Sequence, residues 1–204
     1  NIKNRRKKYV YSDFGFIFLG DLVQTVSGVP LDIFMQKHFY KPMALNSTTF
    51  NPLEHGYPKT GIAPTENDRH FRFQQLQGTV HDENAALMGG VAGHAGLCST
   101  ASDLAALMQM LLDNGMYEGK RYLTDSVVAM FNTRYYAKGN NRRALGFDKP
   151  FISGSSTHVS PMASQSSFGH SGFTGTFVWV DPEYQLIYIF LSNRVYPDTK
   201  DNKL

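Results

Sequence analysis

Residues 176–191, TFVWVDPEYQLIYIFL, constrain the fold more than any other stretch of this chain. Two runs rich in β-branched and aromatic residues flank the polar, proline-bearing DPEY. That pattern predicts two antiparallel strands closing as a hairpin. Just ahead lies Gly169-His170-Ser171-Gly172, a small-residue run that carries a titratable ring straight into the hairpin. The strands need a cover, and the clearest helix is STASDLAALMQMLLDNG at 99–115. Thr100 and Asp103 give it a capping-box-like start, Leu104, Leu107, Met108 and Leu111 line one face, and Asn114-Gly115 end it.

Near the start, YSDFGFIFLGDLVQTVSG (11–28) predicts a helix. Phe14, Ile17, Phe18, Val23 and Val26 form its apolar face, and Gly28 and Pro30 stop it. A second amphipathic helix is predicted in LDIFMQKHFYKP (31–42), and a shorter one over 124–131. Residues 46–80 carry Pro52, Pro58 and Pro64 with little periodicity, and 153–167 is rich in serine; both read as loops. Helices first and an antiparallel hairpin last predict an α+β fold, an antiparallel sheet with flanking helices.

Composition excludes several function classes. At 204 residues and 42% hydrophobic, the chain can bury a core. No apolar run reaches the length of a membrane span. The formal net charge is +3, but Lys3, Arg5, Arg6, Lys7 and Lys8 sit together at the start; without those five positive charges the balance is −2. A nucleic-acid partner requires a basic face across the domain, so none is expected. The lone Cys98 permits no intrachain disulfide and reads as a small packing residue.

Three motifs compete for the chemistry. HDEN at 81–84 is rich in ligand atoms, but a helical zinc motif needs a second histidine one turn away, and the next is His94 in a glycine-rich loop. His81, Asp82 and Asn84 therefore read as supporting residues, with no metal. Gly169-His170-Ser171-Gly172 approaches a nucleophile elbow, but that motif joins a strand to a helix, whereas this run enters a strand. The third reading joins Tyr11-Ser12-Asp13, ahead of a helix, to His170-Ser171-Gly172, ahead of the hairpin.

These two triplets resemble the Tyr-x-Asn and His-x-Gly motifs of the serine β-lactamase-related family, which includes class C β-lactamases, penicillin-binding proteins, D-aminopeptidases and esterases. The likeness extends through FYKPMALNSTTF, GTVHDENAALMGGVAGHAGLCSTASDLAALMQMLL and FGHSGFTGTFVWVDP. It is closest to the β-lactamase-like domain that follows a family 3 glycoside hydrolase module in Bacteroidetes proteins.

The resemblance implies a β-lactamase/transpeptidase-like fold and a serine hydrolase working through an acyl-enzyme, with no cofactor. Tyr11 and His170 would be catalytic: Tyr11 relays protons, and His170 supplies positive potential where relatives keep a lysine. Asp13, Ser171, Gly172 and Phe173 would bind substrate, with Gly172 keeping the strand edge open and the Phe173 N–H serving in the oxyanion hole. A free tyrosine titrates near ~10, so base work by Tyr11 calls for neighbouring cations.

No serine here has a lysine three residues on. The expectation is that residues 1–204 form the C-terminal portion of one domain, incomplete and inert alone, whose nucleophile belongs to the remainder of the parent chain. Substrates would be small molecules or peptidoglycan-like: a β-lactam, a D-amino-acid peptide or an ester. The location would be bacterial periplasm or cell envelope. The alternative is a non-catalytic cell-wall-binding or packing module. Asp13 departs from the family's asparagine, because an ionised carboxylate only accepts hydrogen bonds.

Overall fold

The computed structural model describes residues 10–137, 141–152 and 159–200. The basic run at 3–8, residues 153–158 of the serine-rich segment and residues 201–204 lie outside the described residues.

Helix α1 spans Phe14–Ser27 and stops at Gly28, whose φ of 69° turns the chain left-handed while its N–H reaches Gln24 O at 2.9 Å. Pro30 then opens α2, Leu31–Met35, which widens into a π-helical turn over Gln36–Tyr40. The short strands β1 (Glu66–Asn67) and β2 (Gln75–Leu76) pair within the expected irregular excursion. Asp68 fastens that excursion by accepting from the N–H groups of His70, Phe71 and Arg72 at 2.8–2.9 Å; these bonds hold its carboxyl well below the usual range.

A short α3, Glu83–Leu87, precedes the glycine-rich stretch, and α4 follows over Ala101–Leu112, capped by Thr100 Oγ1 accepting from the Asp103 N–H. Strands β3 (Met116–Tyr117) and β4 (Lys120–Arg121) form a small hairpin, and α5 covers Asp125–Asn132. The main sheet is antiparallel in the order β5 (Phe168–Ser171), β6 (Phe177–Asp181), β7 (Leu186–Phe190). Its register sets Ser171 opposite Phe177, Phe177 opposite Phe190 and Asp181 opposite Leu186. The predicted hairpin is therefore β6–β7, and the His170 run forms the third strand. The fold is α+β, as expected.

Two expectations about packing change. Helix α4 was predicted to bury one face. Instead its most buried residues are Met110 and Leu112, which look to opposite sides. Met110 packs with Tyr40, Met43 and Leu45, while Leu112 packs with Phe168 and Val180 of the sheet. A helix sandwiched between two layers is apolar all round, which blurs its periodicity. On α1 the predicted apolar face divides: Ile17 and Val23 are half-buried, whereas Phe14, Phe18 and Val26 are exposed at 68%, 68% and 78%. The helix packs against α2 and the glycine-rich stretch, and no described element covers its outer side.

The serine-rich segment is not uniformly loose. Ser164 is buried and donates from its N–H and its Oγ to Asp181 at the end of β6, and the fully buried Ser167 donates from Oγ to Ser164 O. Beside this anchor, Lys149 is buried and donates to Asn132 Oδ1 and Ser166 O at 2.8 and 2.9 Å.

Burial, followed by the nearby Arg134 charge, pushes the Lys149 ammonium down to about 8, against a partial counter-pull from Asp181. In an unfolded chain a lysine titrates near ~10.4. Between those values the unfolded state holds more protons, so this group makes stability rise with pH, by roughly 1.4 kcal/mol per unit. Denaturant unfolding from pH 7 to 10.5 should show that rise in the wild type, beginning near pH 8. The Lys149→Met variant's own curve should lack that rise, so the difference between the two curves isolates it.

Candidate active site

The cleft that holds the predicted site residues has a volume of about 1080 Å³ and lies where α1, the glycine-rich stretch and β5 meet. Its geometry starts with glycine. A Cβ on Gly93 would stand 2.1 Å from the Phe16 carbonyl oxygen and 3.1 Å from the Gly20 N, so the loop backbone rests directly on α1. That contact fixes the first turn of α1, and with it Tyr11.

Tyr11 and His170 come together from opposite ends of the sequence. Their ring centroids are 6.2 Å apart, and Phe16 meets the same imidazole edge-on at 6.2 Å. His170 Nδ1 lies 2.7 Å from the Ser171 carbonyl. A carbonyl only accepts, so Nδ1 carries the hydrogen. Nε2 is buried and has no hydrogen-bond partner among the described residues. In the neutral ring Nε2 is a lone-pair acceptor, and only protonation turns it into a donor.

The remaining predicted residues also line this cleft. Asp13 stands at the α1 N-cap but its side chain makes no capping bond; Ser12 Oγ accepts from the Phe14 N–H instead, at 3.3 Å. A pure capping role for Asp13 therefore has no hydrogen bond behind it. Ser171 and Gly172 are exposed. No described residue accepts from the Phe173 N–H. The glycines have a structural reason that was not anticipated. A Cβ on Gly169 would strike Val178 O at 2.0 Å, and one on Gly172 would strike Thr176 Oγ1 at 2.2 Å. Close approach of the β6 backbone requires glycine at Gly169 independently of any ligand, whereas at Gly172 the near atom is a side-chain hydroxyl that can turn away.

Two arginines escaped the sequence reading. Arg143, 8% exposed, sets its guanidinium 5.4 Å from the Tyr11 ring centre and 5.8 Å from that of Phe16, while pairing with Asp148. Arg194 places its guanidinium 5.2 Å from the Phe173 ring and donates from Nε to the Phe173 carbonyl at 2.9 Å. His81 packs on Phe173 with centroids 5.6 Å apart and bonds to Glu66 at 2.8 Å. No periodicity or motif marks these arginines; only the folded chain sets them against the cleft's aromatic residues.

HDEN does supporting work. Asp82 caps α3 through the Ala85 N–H and bonds to His94 Nε2, both at 2.8 Å. Burial pushes its carboxyl up, but the Ala85 N–H and the His94 ring outweigh that and leave it below the usual range. Among the described residues no cluster of three or more His, Cys, Asp or Glu side chains is disposed to hold a metal. Burial pushes the Cys98 thiol up, away from nucleophile behaviour. No single helix among the described residues is long and apolar enough to cross a membrane.

Comparison with known proteins extends this picture. The family profile described as Beta-lactamase matches residues 4–204. A protein of Escherichia coli K12, provisionally named D-alanyl-D-alanine carboxypeptidase, is 38% identical over 208 residues, covering 95% of this chain and 47% of the relative. The N-acetylmuramyl-L-alanine amidase of Bacillus subtilis strain 168 is 36% identical over 205 residues, covering 95% and 46%. The chain thus spans about half the length of the curated relatives it matches. Among solved structures, a beta-lactamase from Mycobacterium bovis superposes with a TM-score of 0.62 at 22% identity, covering 91% of this chain and 56% of that one.

The contact between the glycine loop and α1 makes a direct prediction. Gly93→Ala pushes a methyl into the Phe16 carbonyl and should cost about 1–3 kcal/mol in denaturant unfolding. Gly15→Ala is the control on the same helix: nothing lies within 4 Å of its Cβ position. It should be neutral or stabilising by about 0.5–1 kcal/mol.

Proposed function

The chain belongs to the beta-lactamase family, with a β-lactamase/transpeptidase-like fold, and from that premise we propose that the whole protein is a serine hydrolase acting on an amide or ester through an acyl-enzyme. The observation that carries this reading is the meeting of Tyr11 and His170, so distant in sequence, in one cleft beside the unengaged Phe173 N–H.

In the proposed reaction a serine outside these 204 residues attacks the substrate carbonyl. Tyr11 takes the serine proton as the C–O bond forms and passes it to the amine or alcohol as the old C–N or C–O bond breaks. Water repeats the sequence and frees the serine. The Phe173 N–H donates to the developing oxyanion, and Arg194 and His81 hold that segment still. His170 receives a substrate hydrogen bond at Nε2, or grips a carboxylate once protonated.

The names of the relatives, a carboxypeptidase for D-alanyl-D-alanine and an amidase for N-acetylmuramyl-L-alanine, support a peptidoglycan-derived substrate. The corresponding place for the protein is proposed to be the bacterial periplasm or cell envelope. A glycoside hydrolase module in the same parent chain fits that substrate class.

Two tests follow. The 204-residue chain alone should turn over neither nitrocefin nor p-nitrophenyl acetate above a Tyr11→Phe control; turnover at the Tyr11 site would show that the nucleophile lies within it. In the full-length protein, Tyr11→Phe should lower kcat/KM by roughly 10²–10⁴. Asp13 places a carboxylate on the cleft wall, which should favour substrates carrying an ammonium by attraction of roughly a few kcal/mol at most. Asp13→Asn should therefore lower kcat/KM for an amine-bearing peptide relative to its N-acylated counterpart, and an unchanged ratio would remove charge selection from the reading.

A further inference from the structure

We propose that Arg143 is a positioning residue for Tyr11: it gives the phenol ring a permanent positive neighbour that favours the phenolate. The proposal rests on the reading of Tyr11 as the proton carrier.

The other described groups on the cleft wall are unsuited to this work. His170 carries a charge only when a second proton adds to its ring, so it is not a permanent cation. Its Nδ1 hydrogen is moreover committed to the Ser171 carbonyl. His81 and His94, which share the cleft, are likewise not permanent cations, and each already bonds to a carboxylate, Glu66 and Asp82. Asp13, Glu66 and Asp82 all oppose an anion. Arg72 is on the cleft wall as well, but it is bound to the Val80 and His81 carbonyls at 2.5 and 2.6 Å and to Asp68 at 3.4 Å.

Arg143 has the charge, the position and the support. A guanidinium stays charged at every accessible pH. It faces the Tyr11 ring at 5.4 Å, within the range at which a cation is attracted to an aromatic face, and attraction grows when the ring carries a negative charge. Its other anchors fix it: Phe16 at 5.8 Å and the buried Asp148 carboxylate. Asp148 does not cancel it, because Arg142 pairs with the same carboxylate and leaves the trio at net +1. The loop that carries them is tied to the catalytic strand itself: Asp148 N–H donates to Gly169 O at 2.8 Å, and Gly169 N–H returns to Asp148 O at 3.1 Å. One backbone pair thus registers the arginine against both His170 and Tyr11.

The 204-residue chain allows a test that needs no catalysis. Tyrosinate absorbance near ~295 nm is followed against pH, and subtracting the Tyr11→Phe curve isolates the titration of Tyr11. Arg143→Gln should raise that midpoint by about one unit or more, as expected for loss of an opposite charge a few ångströms away. Arg143→Lys should keep most of the wild-type value. If Arg143→Gln leaves the cooperative unfolding transition impaired, the Arg142→Gln/Arg143→Gln/Asp148→Asn triple substitution removes all three charges while retaining hydrogen-bonding groups, taking the trio from net +1 to zero, and the same rise is expected. An unmoved midpoint in a folded variant overturns the proposal. In the full-length protein the alkaline-side rise of kcat/KM should move up in parallel. A Tyr11→Phe enzyme with full activity would instead sink the functional reading, while the absorbance titration would still decide the role of Arg143.

Discussion

The contact on which the site depends is backbone against backbone: the Gly93 loop lying on α1 at Phe16 and Gly20. Any side chain at Gly93 would lift the helix off the loop. The same helix start carries Tyr11, and the same loop carries His94 on to Asp82. A methyl-sized change would therefore be felt by the tyrosine, the carboxylate–histidine pair and the cleft wall together, because packed interiors transmit displacement and do not absorb it. On the far wall the logic repeats, with Gly169 and Gly172 pressed against β6. The cleft is the gap left between two surfaces whose positions are set by glycine.

Charge is distributed over that frame in a way a list of motifs does not show. Two histidines on one wall, His81 and His94, are each bonded to a carboxylate, so they are oriented before any substrate arrives. The permanent cations pack on aromatic rings: Arg143 at Tyr11 and Phe16, Arg194 at Phe173.

Much of this was legible in the residues. The β6–β7 hairpin could be read from alternation around DPEY, α4 from its cap and terminal glycine, and the Tyr11–His170 pairing from two triplets in order. What was not legible has physical causes. Met110 and Leu112 of α4 were missed because burial on two sides erases an amphipathic stripe. The exposed Phe14, Phe18 and Val26 look like a core face in sequence, since apolar spacing does not say what lies opposite. Arg143 was invisible because its meaning comes from the backbone pairing of Asp148 with Gly169, a contact between distant segments that share no pattern. The glycines of the His170 run were read as room for a ligand, and for Gly169 the neighbouring strand backbone supplies a further reason.

The tautomer of His170 gives the site its sharpest internal constraint. With Nδ1 donating to the Ser171 carbonyl, the neutral ring offers the cleft an acceptor and no charge. A lysine in that place would offer three donors and a charge at once. Substituting histidine therefore separates two tasks that one ammonium can perform together: holding a substrate group by hydrogen bond, and stabilising negative charge nearby. The first stays with His170, and its sign depends on whether the ring is protonated. The second falls to groups whose charge does not depend on pH, and of the arginines that pack on site aromatics, Arg143 stands at the tyrosine and Arg194 at the strand end. A cleft arranged this way keeps its electrostatic field constant while its hydrogen-bonding character changes with protonation, so substrate grip and proton relay respond to different groups.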